Sequence, residues 1–151
     1  TIECKLLETE TAKEIYKMLP IKSQINTWGD EIYFDVPTNK IKADKTAKEV
    51  FELGEIAFWN QGNAIAVGFG PTPVSKKDEI RLISPANHWA NAKNPQELKK
   101  LGEFKNGENI EVSEVMSGIV DGMSFINGVP TPSINDIEFD LSAIIRVEEA
   151  E

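Results

Sequence analysis

The feature that most constrains this chain is how short its ordered patterns are: apolar and polar residues alternate over four to eight positions, then Gly, Pro or Asn interrupts. Alternation with period two places one set of side chains on one face of an extended strand, and the punctuation marks turns, so the pattern predicts many short strands. Ile2, Cys4 and Leu6 open it. Lys22–Thr27 and Glu31–Val36 read as a hairpin across Trp28-Gly29-Asp30, since Gly and Asp favour the turn. Ile56–Trp59 and the apolar run Ala64–Phe69 flank Asn60-Gln61-Gly62-Asn63. Gly70-Pro71-Thr72-Pro73 cannot continue a ladder, because proline donates no backbone hydrogen bond. Ile80–Ile83, Asn87–Ala92 and Asn109–Val115 follow, and Ile137, Phe139 and Leu141 alternate into Ile145 and Val147. Two short helices are expected. One is capped by Thr11 with Glu14 and stopped by Pro20, and the other is opened by Asn94-Pro95 and ended by Gly102. Pro37–Ala47 and Val74–Asp78 read as solvated connections.

Composition then removes whole classes of function. The 151 residues suit one domain, and 16 basic against 25 acidic residues give a net charge of −9, which repels phosphate backbones and anionic bilayers. No nucleic-acid or membrane partner is expected, and a monomer or weak homodimer in the cytoplasm is. The sequence holds one histidine, His88, and one cysteine, Cys4, so neither an intrachain disulfide nor a His/Cys zinc cluster can form within it. No metal, no cofactor and no catalytic residue is assigned. Gly68-Phe69-Gly70 lacks the lysine of a phosphate loop, and no glycine-flanked serine is present.

Four ordered motifs carry a resemblance: Asn26-Thr27-Trp28-Gly29-Asp30-Glu31-Ile32-Tyr33-Phe34, Gly54-Glu55-Ile56-Ala57-Phe58-Trp59, Gly62-Asn63-Ala64 and Phe69-Gly70-Pro71-Thr72-Pro73. Over about residues 1–115 the chain resembles the cyclophilin-like family of small prokaryotic proteins of unassigned activity. The resemblance implies a mainly β fold, a closed cyclophilin-like β barrel with two short helices and a ligand groove on one side. Members of that family carry a further strand before the position of Ile2. Residues 116–151 are therefore expected to complete the barrel within a single domain, with Ile137–Val147 filling the place beside Ile2–Leu7, since an open edge invites pairing.

A groove would be lined by a polar-aromatic set: Asn26, Trp28, Glu31 and Tyr33 from one hairpin, Trp59 and Asn63 from the next, then Phe69 and His88. Aromatic rings give broad contact with a polar handle, and Asn both donates and accepts, which suits a peptide or small-molecule ligand. The alternative is a peptidyl-prolyl cis-trans isomerase, whose mechanism needs an arginine beside an apolar pocket to stabilise the twisted amide. The two arginines here, Arg81 and Arg146, stand next to acidic residues and outside the sequence context of true cyclophilins.

Overall fold

The computed structural model describes residues 1–38 and 40–149. It divides into two compact units, one of Ile2–Glu114 and one of Val115–Glu151 with Thr1.

In the larger unit the elements run β1 (Cys4–Leu6), α1 (Glu10–Lys17), β2 (Ile21–Gln24), β3 (Asn26–Thr27), β4 (Glu31–Asp35), β5 (Lys48–Phe51), β6 (Glu55–Trp59), β7 (Ala64–Gly68), β8 (Ile80–Ala92), a 3₁₀ helix (Pro95–Glu103) and β9 (Asn109–Val112). The main sheet has the order β1-β8-β6-β7-β4-β3, with β5 also paired to β8, while β2 and β9 form a separate ladder. Every pairing is antiparallel.

The expected closed barrel is not what these residues form. Its two end strands, β1 and β3, are three and two residues long and pair on one side only, so the sheet stays open. The cause is visible at Ile25. Its N–H donates to the Glu108 carbonyl (2.8 Å) and its own carbonyl accepts from Gly107 (2.7 Å), which draws β2 towards β9 and cuts the expected 22–27 strand in two. Only Asn26 and Thr27 are left to pair with β4.

Packing follows the alternation. On one face Ile32 and Phe34 of β4, Ile65 and Val67 of β7, and Ile56 and Phe58 of β6 bury against Ala12 and Ile15 of α1 and Leu98 and Leu101 of the 3₁₀ helix. Fully burying one such side chain contributes about 1.5–3 kcal/mol. On the other face Phe51, Ala57, Ala66, Ile80, Leu82 and Ala86 make a smaller cluster, with Tyr33 and Trp59 packed against it. Strand β8 serves both, because its first half pairs with β5 and its second with β6 and β1. The α1 cap is Thr9, whose hydroxyl accepts from the Ala12 N–H (3.1 Å), rather than the expected Thr11.

Thr11 has another task. Asn87, fully buried, donates through Nδ2 to Thr11 Oγ1 (2.9 Å) and to the Lys42 carbonyl (2.8 Å), and its Oδ1 accepts from the Asp44 N–H (3.0 Å). Thr11 Oγ1 in turn donates to Asp44 Oδ2 (3.1 Å). The segment read as a solvated connection is thus tied to α1 and β8 by a satisfied buried amide.

In the smaller unit β10 (Gly122–Ile126) and β11 (Val129–Ile134) form a hairpin across Asn127-Gly128, both at positive φ (52° and 79°), as a two-residue turn of this kind requires. Strand β12 (Ile137–Glu138) pairs with β11, and Leu141–Ala143 is a 3₁₀ turn. Ile137–Val147 is therefore not one strand, and its two strand residues pair with β11 rather than with Cys4–Leu6. Among the described residues, no helix is long and apolar enough to cross a membrane.

Replacing Asn87 by Ala leaves the Asp44 N–H and the Lys42 carbonyl without partners. Denaturant unfolding should show a loss of about 1–3 kcal/mol, with faster amide exchange at Lys42–Thr46; unchanged exchange there would contradict the anchoring role.

Candidate functional site

Strand register decides which predicted residues meet. Asn26 stands opposite Tyr33, Tyr33 opposite Ala66, Ala66 opposite Ala57, and Ala57 opposite His88, forming one row across five strands. Directly paired residues share a face of the sheet. Glu31, opposite Gly68, and Trp59, opposite Ala64 and Ala86, lie two residues from that row along their own strands and so share its side. The Trp28 N–H donates to the Glu31 carbonyl (2.9 Å), which carries the β3–β4 ladder one pair further and sets Trp28 opposite Glu31. Asn26, Trp28, Glu31, Tyr33, Trp59 and His88 thus come to one face.

The other two predicted residues do not. Asn63 sits in the β6–β7 turn at φ 51°, and its Nδ2 donates to the Val36 carbonyl (3.2 Å), so it shapes its own turn. Phe69 follows β7 and packs against the larger core cluster on the opposite side.

Small residues make room for large ones on the shared face. Tyr33 and Trp59 meet edge to face at 6.0 Å and 79°, above Ala57, Ala64 and Ala66. The Trp59 N–H donates to Ser84 Oγ (2.7 Å), and its ring lies where any Cβ on Gly62 would be. His88 is held on both sides. One ring nitrogen is 2.6 Å from Asn91 Oδ1, the other is 3.7 Å from Glu55 Oε1, and the ring stands edge-on to Phe51. Burial pushes the Glu55 carboxyl up, but the Lys48 ammonium at 2.7 Å, the Glu52 N–H at 2.8 Å and His88 outweigh it and hold it below its ordinary value.

Glu31 is the unusual group. It is 5% exposed, and its Oε2 has no hydrogen-bond partner among the described residues. Its neighbour across the ladder, Gly68, offers no side chain, and an Ile80 methyl fills the space a Cβ there would take. Burial therefore favours the neutral acid and pushes the Glu31 carboxyl up to about 7.

On the other side of the β3–β4 hairpin a cavity of about 340 Å³ opens towards the end of the 3₁₀ helix, with Ile32, Phe69, Leu101 and Phe104 along its apolar wall; Glu31 also borders it. Sequence reasoning missed this cavity, since its walls come from positions some seventy residues apart and Leu101 reads as an ordinary helix residue. It also missed Lys48, Glu55 and Asn91, which look like solvated polar residues until β5 and β6 meet β8. Among the described residues no group of three or more His, Cys, Asp or Glu side chains is arranged to hold a metal ion.

The model of the family described as cyclophilin-like matches residues 1–113, and the chain belongs to that family. It is similar to the hypothetical protein AF2241 from Archaeoglobus fulgidus, known from a solution structure, at 37% identity over 76% of this chain and 86% of that one, with a TM-score of 0.63. It is also similar to McbB, whose structure was determined in complex with tryptophan. That match has 18% identity and a TM-score of 0.52, and covers 68% of this chain and 33% of McbB, a likeness of fold alone. None of the curated proteins compared with the chain matches it.

The folded state holds the Glu31 proton more tightly than the unfolded chain, where the carboxyl has its ordinary value of 4.5. The associated stability is complete below that value and is lost as pH rises through about 7. Relative to Glu31→Gln, the wild-type protein should lose roughly 3 kcal/mol of unfolding free energy between about pH 4 and about pH 8. Parallel stability curves for the two proteins would refute this.

Proposed function

We propose that this cyclophilin-like chain is a binding module for a peptide or small-molecule ligand, held on the sheet face that carries Asn26, Trp28, Glu31, Tyr33, Trp59 and His88. One observation carries the reading: a carboxyl group that is almost wholly buried and has an oxygen left without a donor among the described residues. Such an orphan costs about 1–3 kcal/mol, and strongly shifted groups of this kind concentrate at functional sites. A ligand N–H or O–H reaching Glu31 would satisfy it. The half-buried Trp28, Tyr33 and Trp59 supply aromatic surface beside it.

The isomerase alternative has less support. Arg81 donates through Nε to Glu79 (2.6 Å) and through Nη1 to Glu49 (2.7 Å), so its guanidinium is engaged by two carboxylates. Arg146 pairs with Glu148 (2.9 Å) in the smaller unit. Neither stands ready over an apolar pocket as a prolyl-nitrogen donor.

Screening peptides and metabolites by melting temperature and amide chemical shift should find a ligand that perturbs residues around Glu31 and Tyr33. Trp59→Ala should abolish the response, and the near-isosteric Glu31→Gln should weaken it at least about tenfold, equivalent to about 1.4 kcal/mol. A screen with no response, or one undiminished in Glu31→Gln, would overturn the proposal.

A further inference from the structure

The cavity beside the β3–β4 turn combines an apolar wall with opposite charges. Phe69, Leu101 and Phe104 line it, and Phe104 remains 42% exposed although it is a large aromatic side chain. Asp30, Glu31 and Lys105 also line it, and none of the nine ion-pair contacts among the described residues involves any of the three. Asn106 Oδ1 accepts from the Thr27 N–H (3.3 Å), which fixes the amide with its NH₂ group turned away from that bond and able to donate.

Each polar group selects for something different. An ammonium group is complementary to Asp30, and a carboxylate to Lys105 and the Asn106 NH₂ group. An apolar side chain completes the match against the two phenylalanines and Leu101. A cavity of about 340 Å³ is at the small end of ligand pockets, about 300–1,000 Å³, which suits a compact molecule better than an extended peptide. Net charge narrows the class further. A chain at −9 disfavours free anions, whereas a zwitterion approaches without net repulsion.

We infer that this cavity is a subsite for a free α-amino acid with an apolar side chain, its ammonium group on Asp30 and its carboxylate on Lys105 and Asn106. The inference rests on the reading of the chain as a ligand-binding module; Glu31 borders both places, but the charged and apolar contacts named here are other residues.

The test uses the full chain and three probes: L-phenylalanine, phenylacetate, which lacks the ammonium group, and phenethylamine, which lacks the carboxylate. Amide chemical shifts of Thr27, Asp30, Gly102 and Asn106 should saturate with L-phenylalanine, and each single-charge probe should bind at least tenfold more weakly. Lys105→Met should weaken L-phenylalanine about tenfold and leave phenethylamine unchanged; Asp30→Asn should weaken L-phenylalanine and leave phenylacetate unchanged. Equal binding of the three probes, or no saturable shift at these amides, overturns the inference. If screened ligands move Glu31 and Tyr33 while the cavity amides stay still, the binding-module reading stands and this subsite falls. L-phenylalanine saturating the cavity while no screened ligand depends on Glu31 leaves this subsite standing and removes the sheet face as the place of binding.

Discussion

The pairing of β4 with β7 is the constraint on which the candidate site depends. It sets Glu31, Tyr33 and Asp35 against Gly68, Ala66 and Ala64, large against small at every step. Because side chains alternate strictly along a strand, a slip of one residue would bring Ile32 and Phe34 to this face and send Glu31 and Tyr33 into the main core. The buried Ile32, Phe34, Ile65 and Val67 make that slip costly, so the core that stabilises the fold also fixes which residues stand on the opposite face.

The same pairing explains why a carboxylic acid is buried here. Glycine at position 68 leaves a gap across from Glu31, and Ile80, brought over by the long strand β8, closes it with a methyl group. Glu31 is buried at this place, and among the described residues its Oε2 has no donor.

Much of this was legible from sequence, and the failures have definite causes. The hairpin turn at Gly29-Asp30, the strands 56–59 and 64–68, and the family itself follow from local chemistry and from motif order; the Asn127-Gly128 turn emerges only with the structure. The openness of the sheet was not legible, because it depends on where Ile25 finds its hydrogen bonds, and Glu108 lies more than eighty residues away. Strand β5 was missed since Lys48, Glu49 and Val50 show no burial alternation of their own; its order comes from pairing with β8. Ile80–Ile83 and Asn87–Ala92 form one strand through Pro85 instead of two. Of the predicted site, six residues share a face because alternation is reliable over short distances. Asn63 and Phe69 fall away because a turn asparagine serves its own backbone and the residue after Gly68 faces the core.

The protonation state of one side chain, Glu31, distinguishes a candidate site from an ordinary sheet face. Carboxyl-carbon chemical shifts of the glutamates followed by pH titration of the intact protein measure it directly. The Glu31 signal should titrate with a midpoint of about 7. A midpoint at the ordinary glutamate value of 4.5 would mean a well-solvated or well-partnered carboxylate, and would contradict the buried, donor-seeking group from which the binding site is argued.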